Sequence, residues 1–550
     1  MTRPNYAQAM SEFRPQDITA LMAGDLESGF NACIECCDRW ADDPERVALE
    51  WESQDGRQAR VTFAQLRDQS ARFANFITAQ GIKPGDVVAA MLPRTPELLT
   101  VILGTWRAGA VYQPLFTAFG PKAVEHRLGL SGAKLVVSDT ANRVKLADVE
   151  ALPPVALALR ADKGESVPAG DFDFHAELAT QSGDFVPVVR GADDLFLMMS
   201  TSGTTGLAKG VPVPLRALIN FRIYMTDAID LREGDKFWNI ADPGWAYGVY
   251  YAVTGPLMLG HATTFYDGPF TVDSTYGMIA RHGITNLAGS PTAYRLLIAA
   301  GAEAAAPIKG HLRCVSSAGE PLNPEVIRWF DQHLAAPIHD HYGQTELGMV
   351  VNNHHGLDHD VRIGSAGLAM RGHRVCVLDD DGNELGPNQP GILAMDIARS
   401  PLLWFTGYWQ QPTPAIAGGY YRTGDTVELE PDGHISFVGR ADDVITSSGY
   451  RIGPFDVESA LIEHPAVVEA AVVGKPDPER TEIVKAFVVL RDGFNGDDNL
   501  ADELSLYVKK RLSAHAYPRE IAFVEHLPKT PSGKLQRFIL RHAEAAKAAL

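Results

Sequence analysis

An apolar run, Leu195 to Met199, ends in Ser200-Thr201-Ser202-Gly203-Thr204-Thr205-Gly206-Leu207-Ala208-Lys209-Gly210, and no other stretch constrains the chain as strongly. Its glycines let the backbone take positive φ and come close to a ligand, its hydroxyls donate hydrogen bonds, and Lys209 adds a mobile positive charge. The expected ligand is a phosphate. The apolar run has the length of a buried strand, so the loop should leave a strand end. Lys209 is followed by glycine rather than Ser or Thr, and Val211-Pro212-Val213-Pro214 excludes an immediate helix. The stretch therefore reads as a hairpin loop that grips phosphate without the dipole of a following helix. The alternative is a polar Gly/Thr surface turn.

A chain of 550 residues exceeds a single core and should divide into at least two domains. The formal net charge of -19 disfavours nucleic acid or an anionic membrane as main partner, so any anionic substrate needs a local cationic site. No apolar run of signal-peptide or membrane-spanning length is present, and a cytoplasmic location is expected. Five cysteines, Cys33, Cys36, Cys37, Cys314 and Cys376, are sparse and odd in number. Cys33 and Cys36 could begin a zinc site, but no second pair stands at ligand spacing, which favours reduced, buried thiols.

Helical spacing over 63–80 and 95–109 alternates with short apolar strands at 87–91 and 134–138, the texture of a mostly parallel sheet covered by helices. Ligands of such sheets sit at the strand C-termini. Residues 151–190 read as peripheral, and 215–229 as an amphipathic helix. Asp242-Pro243-Gly244-Trp245-Ala246-Tyr247-Gly248 joins a turn to an aromatic cluster, fit either for the wall of an acyl tunnel or for an ordinary buried Trp.

Two short strands then end in polar loops with glycine, Gly319-Glu320-Pro321 and Asp340-His341-Tyr342-Gly343-Gln344-Thr345-Glu346. Together they would offer backbone groups and an aromatic face to a purine. Glu346 is a candidate ligand for a hard cation on polyphosphate, or else a helix N-terminal charge. His354, His355, Asp358, His359 and Asp360 invite a metal reading, but without fixed ligand spacing a solvated loop is expected. Asp425 follows a tight turn and suits two ribose hydroxyls. Arg440 and Arg451 bring guanidinium groups beside a Gly-rich turn, suited to phosphate or carboxylate. Beyond about residue 440 a compact α+β segment is expected, closing on Pro531-Ser532-Gly533-Lys534.

In this order and spacing the motifs closely resemble the adenylate-forming superfamily of acyl-CoA synthetases, non-ribosomal adenylation domains and luciferases, and within it the acetyl-CoA and medium-chain acyl-CoA synthetases. The likeness runs from Asn31-x-Cys33, through Pro114-Leu115-Phe116, to the final lysine loop. It implies an α/β fold, with a large N-terminal domain of stacked sheets over 1–439 and a small mobile α+β domain over 440–550. It also implies that an acid is activated with ATP and Mg2+ as an acyl-adenylate and passed to CoA; the alternative is an adenylation enzyme that loads a carrier protein.

By that resemblance Thr201, Ser202, Gly203, Thr204, Thr205, Gly206 and Lys209 hold the β- and γ-phosphates. Gly319, Glu320 and Pro321 line the adenine and Tyr342 stacks on it, Asp340 and Gln344 also belong to the ATP site, Thr345 meets the α-phosphate, and Glu346 holds Mg2+. Asp425 takes the ribose, with Arg440 and Arg451 near the nucleotide and its phosphate. Lys534, with Glu346, Thr201 and Lys209, carries catalysis; Asp442 is the hinge; Trp245 and Gly449 flank the thiol tunnel. Lys509 falls where some relatives place an arginine against CoA phosphate. Trp245 and Gly343 would shape the acyl pocket. Acetyl-CoA synthetases carry Trp at the Gly343 position, so glycine is expected to leave room for an indole, about 150 to 250 Å² of aromatic surface. The expected substrate is a short-to-medium-chain, branched or aromatic carboxylic acid. The resemblance also implies that a partner acyltransferase could modify Lys534 and erase its charge.

Overall fold

A computed structural model describes residues 3–159, 165–201, 208–440, 442–447, 450–477, 480–512, 515–530 and 535–548. Among these residues the strands form five sheets. The largest runs Phe172–Asp173, Val155–Leu157, Leu135–Ser138, Val87–Met91, Val111–Pro114, Leu195–Ser200, Gly210–Pro214, parallel except for the last hairpin. A six-stranded sheet runs Phe237–Asn239, Asn286–Gly289, Cys314–Ala318, Ile338–Gln344, Gly348–Asn352, Leu368–Ala369. Its first four strands are parallel, so Cys314–Ala318 and Ile338–Gln344 deliver the loops after them to one end. The two remaining N-terminal sheets are built on Val47–Ser53 and on Tyr420–Leu429.

Helices cover the large sheet where the apolar spacing required them. Phe63–Ala79 starts at Thr62, whose hydroxyl accepts from the Gln65 backbone while the Gln65 side chain accepts from the Thr62 N–H. It buries Phe63, Leu66, Phe73 and Ile77 against the helix Pro96–Arg107. The two helices meet closely because Gly104 has no side chain: a Cβ there would lie 2.8 Å from Phe73 and from the Ser70 carbonyl.

Residues from Ile445 onward make their own antiparallel sheet of Tyr450–Ile452, Ile445–Ser447, Thr481–Leu490 and Val467–Asp477, with Glu520–Phe523 added in parallel. A separate apolar cluster around Val457, Leu461, Val472, Val488 and Leu504 lies beneath it. This unit touches the larger body through the helix Pro454–Ile462: the Asn323 side chain donates to the Ser459 carbonyl at 3.5 Å, and Arg328 pairs with Glu463 at 3.2 Å. No described helix is long and apolar enough to cross a membrane.

Three expectations are corrected or refined. The helix over 215–229 is Ala217–Ile223 followed by a wider turn Tyr224–Ala228, and it is buried nearly all round rather than amphipathic. Within 151–190, Val155–Leu157 and Phe172–Asp173 extend the edge of the large sheet. The segment at His354 and His355 is not a solvated loop, for both imidazoles are fully buried. His355 stacks on His339 at 3.7 Å, and Tyr6 of the N-terminal segment lies 5.7 Å from His354. Hydrogen bonds to the Val315 and Asn353 carbonyls pay for burying His355 and His339.

The cysteines are free and buried, as the sequence implied. Cys33, Cys37 and Asp38 lie within metal-binding reach of one another, but Asp38 is paired with the buried Arg107 guanidinium. The Cys36 and Cys37 thiols donate weakly to the Thr254 and Phe63 carbonyls, and the cluster reads as core packing.

The buried imidazoles give an acid-stability prediction. Desolvation lowers His339 to about 4 and His354 to about 3, and holds His341 and His355 well below the ordinary value. In the unfolded chain each titrates near 6.5. Folded values below unfolded ones mean that stability is intact above about pH 6.5 and is lost as pH falls toward the folded values, on the order of 1 to 3 kcal/mol per histidine. Urea midpoints should therefore fall between about pH 6.5 and 5, before most carboxylates titrate, the four imidazoles together outweighing the opposite contribution of the buried Asp340 carboxyl, which stabilises as pH falls below about 8. A midpoint unchanged down to pH 5 would contradict neutral buried imidazoles.

Candidate active site

The phosphate-loop strand Leu195–Ser200 pairs antiparallel with Gly210–Pro214, Ser200 opposite Gly210. Thr201 N–H donates to the Lys209 carbonyl at 3.0 Å, so the loop is the tip of a hairpin and no helix follows it. Ser202, Gly203, Thr204, Thr205, Gly206, Gly449 and Lys534 lie outside the described residues, as does the side chain of Arg451.

Tyr342, Gln344, Asp425 and Arg440 converge where Ile338–Gln344 meets Tyr420–Leu429. Tyr342 donates its hydroxyl to Asp425 at 2.6 Å, and the Gln344 amide donates to the same carboxylate at 2.9 Å and to the Thr423 carbonyl at 3.0 Å. Arg440 stands 3.9 Å from Asp425 and 3.2 Å from Asp442. Asp425 is thus a buried carboxylate held by two neutral donors beside a guanidinium, able to exchange those donors for the hydroxyls of a ribose.

Gly319 adopts φ +101°, which lets the chain turn sharply at the end of Cys314–Ala318. Glu320, next in the chain, is held by Thr292 at 3.1 Å and Arg295 at 3.1 Å. Asp340 accepts from the Leu322 N–H at 3.0 Å, tying the loop after Pro321 to the neighbouring strand. Desolvation pushes the Asp340 carboxyl up to about 8, so at neutral pH it is largely protonated and can donate as well as accept. Thr345 presents its carbonyl to the Tyr250 hydroxyl at 3.0 Å.

Glu346 is buried, and burial raises its pKa while a hydrogen bond from Tyr408 at 2.8 Å and the nearby Lys209 oppose the rise. The Lys209 ammonium sits 4.6 Å above the centre of the Tyr408 ring. Tyr408 and Tyr421, whose hydroxyl donates to Gln344 at 2.9 Å, are site residues that sequence reasoning missed. The available signal was Gly407-Tyr408-Trp409 directly after the aromatic Trp404-Phe405. Its partners lie some 60 to 200 residues away in sequence, so no local pattern revealed them.

Trp245, expected at the acyl pocket, packs against Phe116 at 5.2 Å and Phe119 at 5.4 Å. Tyr247, Tyr224 and His341 form a hydrogen-bonded chain behind it, 3.1 Å and 2.8 Å long at its two links. The room expected at Gly343 does not exist: a Cβ there would lie 2.1 Å from the Gly348 carbonyl oxygen and 2.7 Å from Met349 Cα. Glycine at this position serves the close pairing of two strands. Lys509 is exposed on the helix Asp498–Arg511, with its ammonium 4.9 Å from the centre of the Tyr517 ring. Asp442 is exposed, and Arg541 of the last helix clamps it together with Asp443.

Residues 37–409 match the AMP-binding enzyme family, and 456–534 match the AMP-binding enzyme C-terminal domain. The chain belongs to this family. It is 39% identical over 549 residues to an acetyl-coenzyme A synthetase of Bacillus subtilis, spanning 98% of this chain and 94% of that one. The human mitochondrial acyl-coenzyme A synthetase ACSM4 is 34% identical over 536 residues, covering 94% and 91%. A crystal structure of a Brucella canis acyl-CoA synthetase is 66% identical, with a TM-score of 0.81 over 99% of this chain and 100% of that one. An anthranilate CoA ligase, 24% identical, shares the fold with a TM-score of 0.87 over 98% and 100%. The chain is an AMP-forming acyl-CoA synthetase, an α/β enzyme that uses ATP and CoA.

Proposed function

We propose that this enzyme activates a short-to-medium-chain, branched or aromatic carboxylic acid, larger than acetate. The observation that carries this reading is the aromatic wall of Trp245, Phe116 and Phe119 beside the site, suited to an apolar acyl group. A panel from acetate to octanoate with branched and aromatic members, scored by kcat/KM for acyl-CoA formation, tests it. The best substrate should exceed acetate by about 10-fold or more, since each methylene in an apolar pocket contributes about 1 to 3 kcal/mol. Acetate as the best substrate would overturn it.

The residue roles follow from charge and geometry. Adenine stacks on Tyr342, with Gly319, Glu320, Pro321 and Asp340 around its edge; the ribose hydroxyls take the place of Tyr342 and Gln344 on Asp425. Thr201 and Lys209 grip the β- and γ-phosphates, Thr345 faces the α-phosphate, and Arg440 and Arg451 neutralise negative charge beside it. The buried Glu346 oxygens, with one neutral side-chain donor on them, fit a hard divalent ion such as Mg2+, with substrate phosphates and water completing its ligands. Bound there, such an ion supplies charge neutralisation on the phosphates.

In the first half-reaction a carboxylate oxygen attacks the α-phosphorus and pyrophosphate leaves. Both reactants are anions, so Lys534 between carboxylate and α-phosphate lowers the barrier by charge stabilisation. In the second, the CoA thiol attacks the acyl carbonyl, AMP departs and the thiol proton goes to solvent. We place the division between the domains at residue 440 and the hinge at Asp442, with Gly449 and Lys509 on the CoA side. Turning about Asp442 withdraws Lys534 and admits the thiol. Acylation of Lys534 by a partner acyltransferase would block the first step alone. The free, buried cysteines fit a reducing compartment such as the cytoplasm.

A further inference from the structure

The loop at 407–409 is held to both halves of the phosphate end of the site. Trp409 N–H donates to the Gly210 carbonyl at 2.9 Å, beside Lys209. The contact is close, for a Cβ at Gly210 would lie 3.0 Å from the Trp409 Cβ and 3.2 Å from Leu130. One residue earlier, the Tyr408 N–H donates to the Thr413 hydroxyl at 2.8 Å, and the Tyr408 ring rests edge-on against Phe405 at 5.2 Å. So fixed, the ring turns its face to the Lys209 ammonium and its hydroxyl to Glu346.

Lys209 is exposed and Glu346 is buried, and both reach Tyr408 with opposite charge, yet among the described residues no ion pair joins them. The phenol stands between them. We propose that Tyr408 is a positioning residue that keeps the Lys209 ammonium and the Glu346 carboxylate apart and ready for separate tasks. The inference rests on the roles given above to those two residues. A ring face holds an ammonium weakly enough for a phosphate to take it over. A neutral hydroxyl satisfies a buried carboxylate without cancelling its charge, so the carboxylate stays available to a cation. Without the ring, the two charged groups would close on each other, and ATP with its metal would have to break that pair before binding.

The two functions of the phenol separate by mutation. Tyr408→Phe keeps the ring under Lys209 and drops the donor to Glu346. Tyr408→Leu removes both. The test is calorimetric binding of a non-hydrolysable ATP analogue to the full-length protein, with and without Mg2+, alongside steady-state kinetics. For Tyr408→Phe, metal-free binding should match wild type, while the Mg2+ concentration giving half of the metal-enhanced affinity should rise about 10-fold, as for loss of an outer-shell partner. For Tyr408→Leu, both metal-free and metal-enhanced binding should weaken, with KM for ATP rising by about 10-fold. Thermal melting checks that each variant folds, the Phe variant being nearly isosteric. Both variants binding like wild type with and without Mg2+, or Tyr408→Phe losing metal-free binding as fully as Tyr408→Leu, would overturn the proposal. Wild-type protein whose analogue binding ignores Mg2+ would instead remove the Glu346 reading on which it stands.

Discussion

Lys534→Ala is expected to lower acid-dependent pyrophosphate exchange by roughly 10² to 10³, about 2.7 to 4 kcal/mol, the scale for loss of one charge-stabilising donor. Thioester formation from supplied acyl-adenylate should stay within about twofold of wild type, because the proposed rotation turns the lysine away in that half-reaction. The surroundings of its loop give the prediction physical footing. Lys529 and Leu535 bridge to close the loop base, and Arg537, just beyond, pairs with Glu458 at 2.7 Å. Glu320 also acts electrostatically on that guanidinium. The described residues on both sides of 531–534 are thus tied to the small unit and lie within electrostatic reach of Glu320. Lys534→Arg should restore little, because a planar, forked cation on a different stem cannot take the place of a compact ammonium. Equal losses in both half-reactions would contradict the turning domain.

The second large effect is at Gly343. Its missing Cβ faces backbone atoms of Gly348 and Met349, which cannot rotate away as a side chain can. Gly343→Ala should cost about 3 kcal/mol or more in stability, at the upper end for overpacking, since the strand Gly348–Asn352 must move. Tyr342 and Gln344 flank the site of the clash, so nucleotide binding should weaken as the Asp425 network is pulled out of place. Gly343→Trp should not yield an acetate-selective enzyme; it should fold poorly or not at all. Urea unfolding and the chain-length profile check both. A Gly343→Trp protein with wild-type stability and a preference moved to acetate would show that the hairpin yields easily and that the pocket reaches this position after all.

The contrast between these two residues explains what the sequence could and could not disclose. The hairpin of Leu195–Ser200 and Gly210–Pro214, the two parallel strands with polar loops and the α+β segment beyond 440 were legible because each is a local pattern. A run of apolar residues, a turn former and a charged residue lie within a dozen positions of one another. Asp425, by contrast, follows no turn but sits within the strand Tyr420–Leu429, where Gly424 takes φ +76°. Gly343 was misread because the cause of its smallness lies across a hairpin, in the carbonyl of Gly348. The histidines at 354 and 355 look polar in sequence, yet the carbonyl of Val315 and the ring of His339 accommodate His355 in the interior. Tyr408 escaped notice because its partners, Lys209 and Glu346, are far apart in the chain and meet only when two sheets and a loop are assembled. Side chains whose role is set by distant neighbours carry no local signature.

The most direct test of the two-step chemistry follows an oxygen atom. Supplied with an acid labelled with 18O in both carboxylate oxygens, together with ATP, Mg2+ and CoA, the enzyme should release AMP carrying one labelled oxygen on its phosphate, and acyl-CoA retaining the other. The bridging oxygen of the mixed anhydride leaves with AMP when the thiol attacks. Label recovered in inorganic phosphate, with ADP as the nucleotide product, would contradict the account, for it would mean that an acyl phosphate and not an acyl-adenylate had formed.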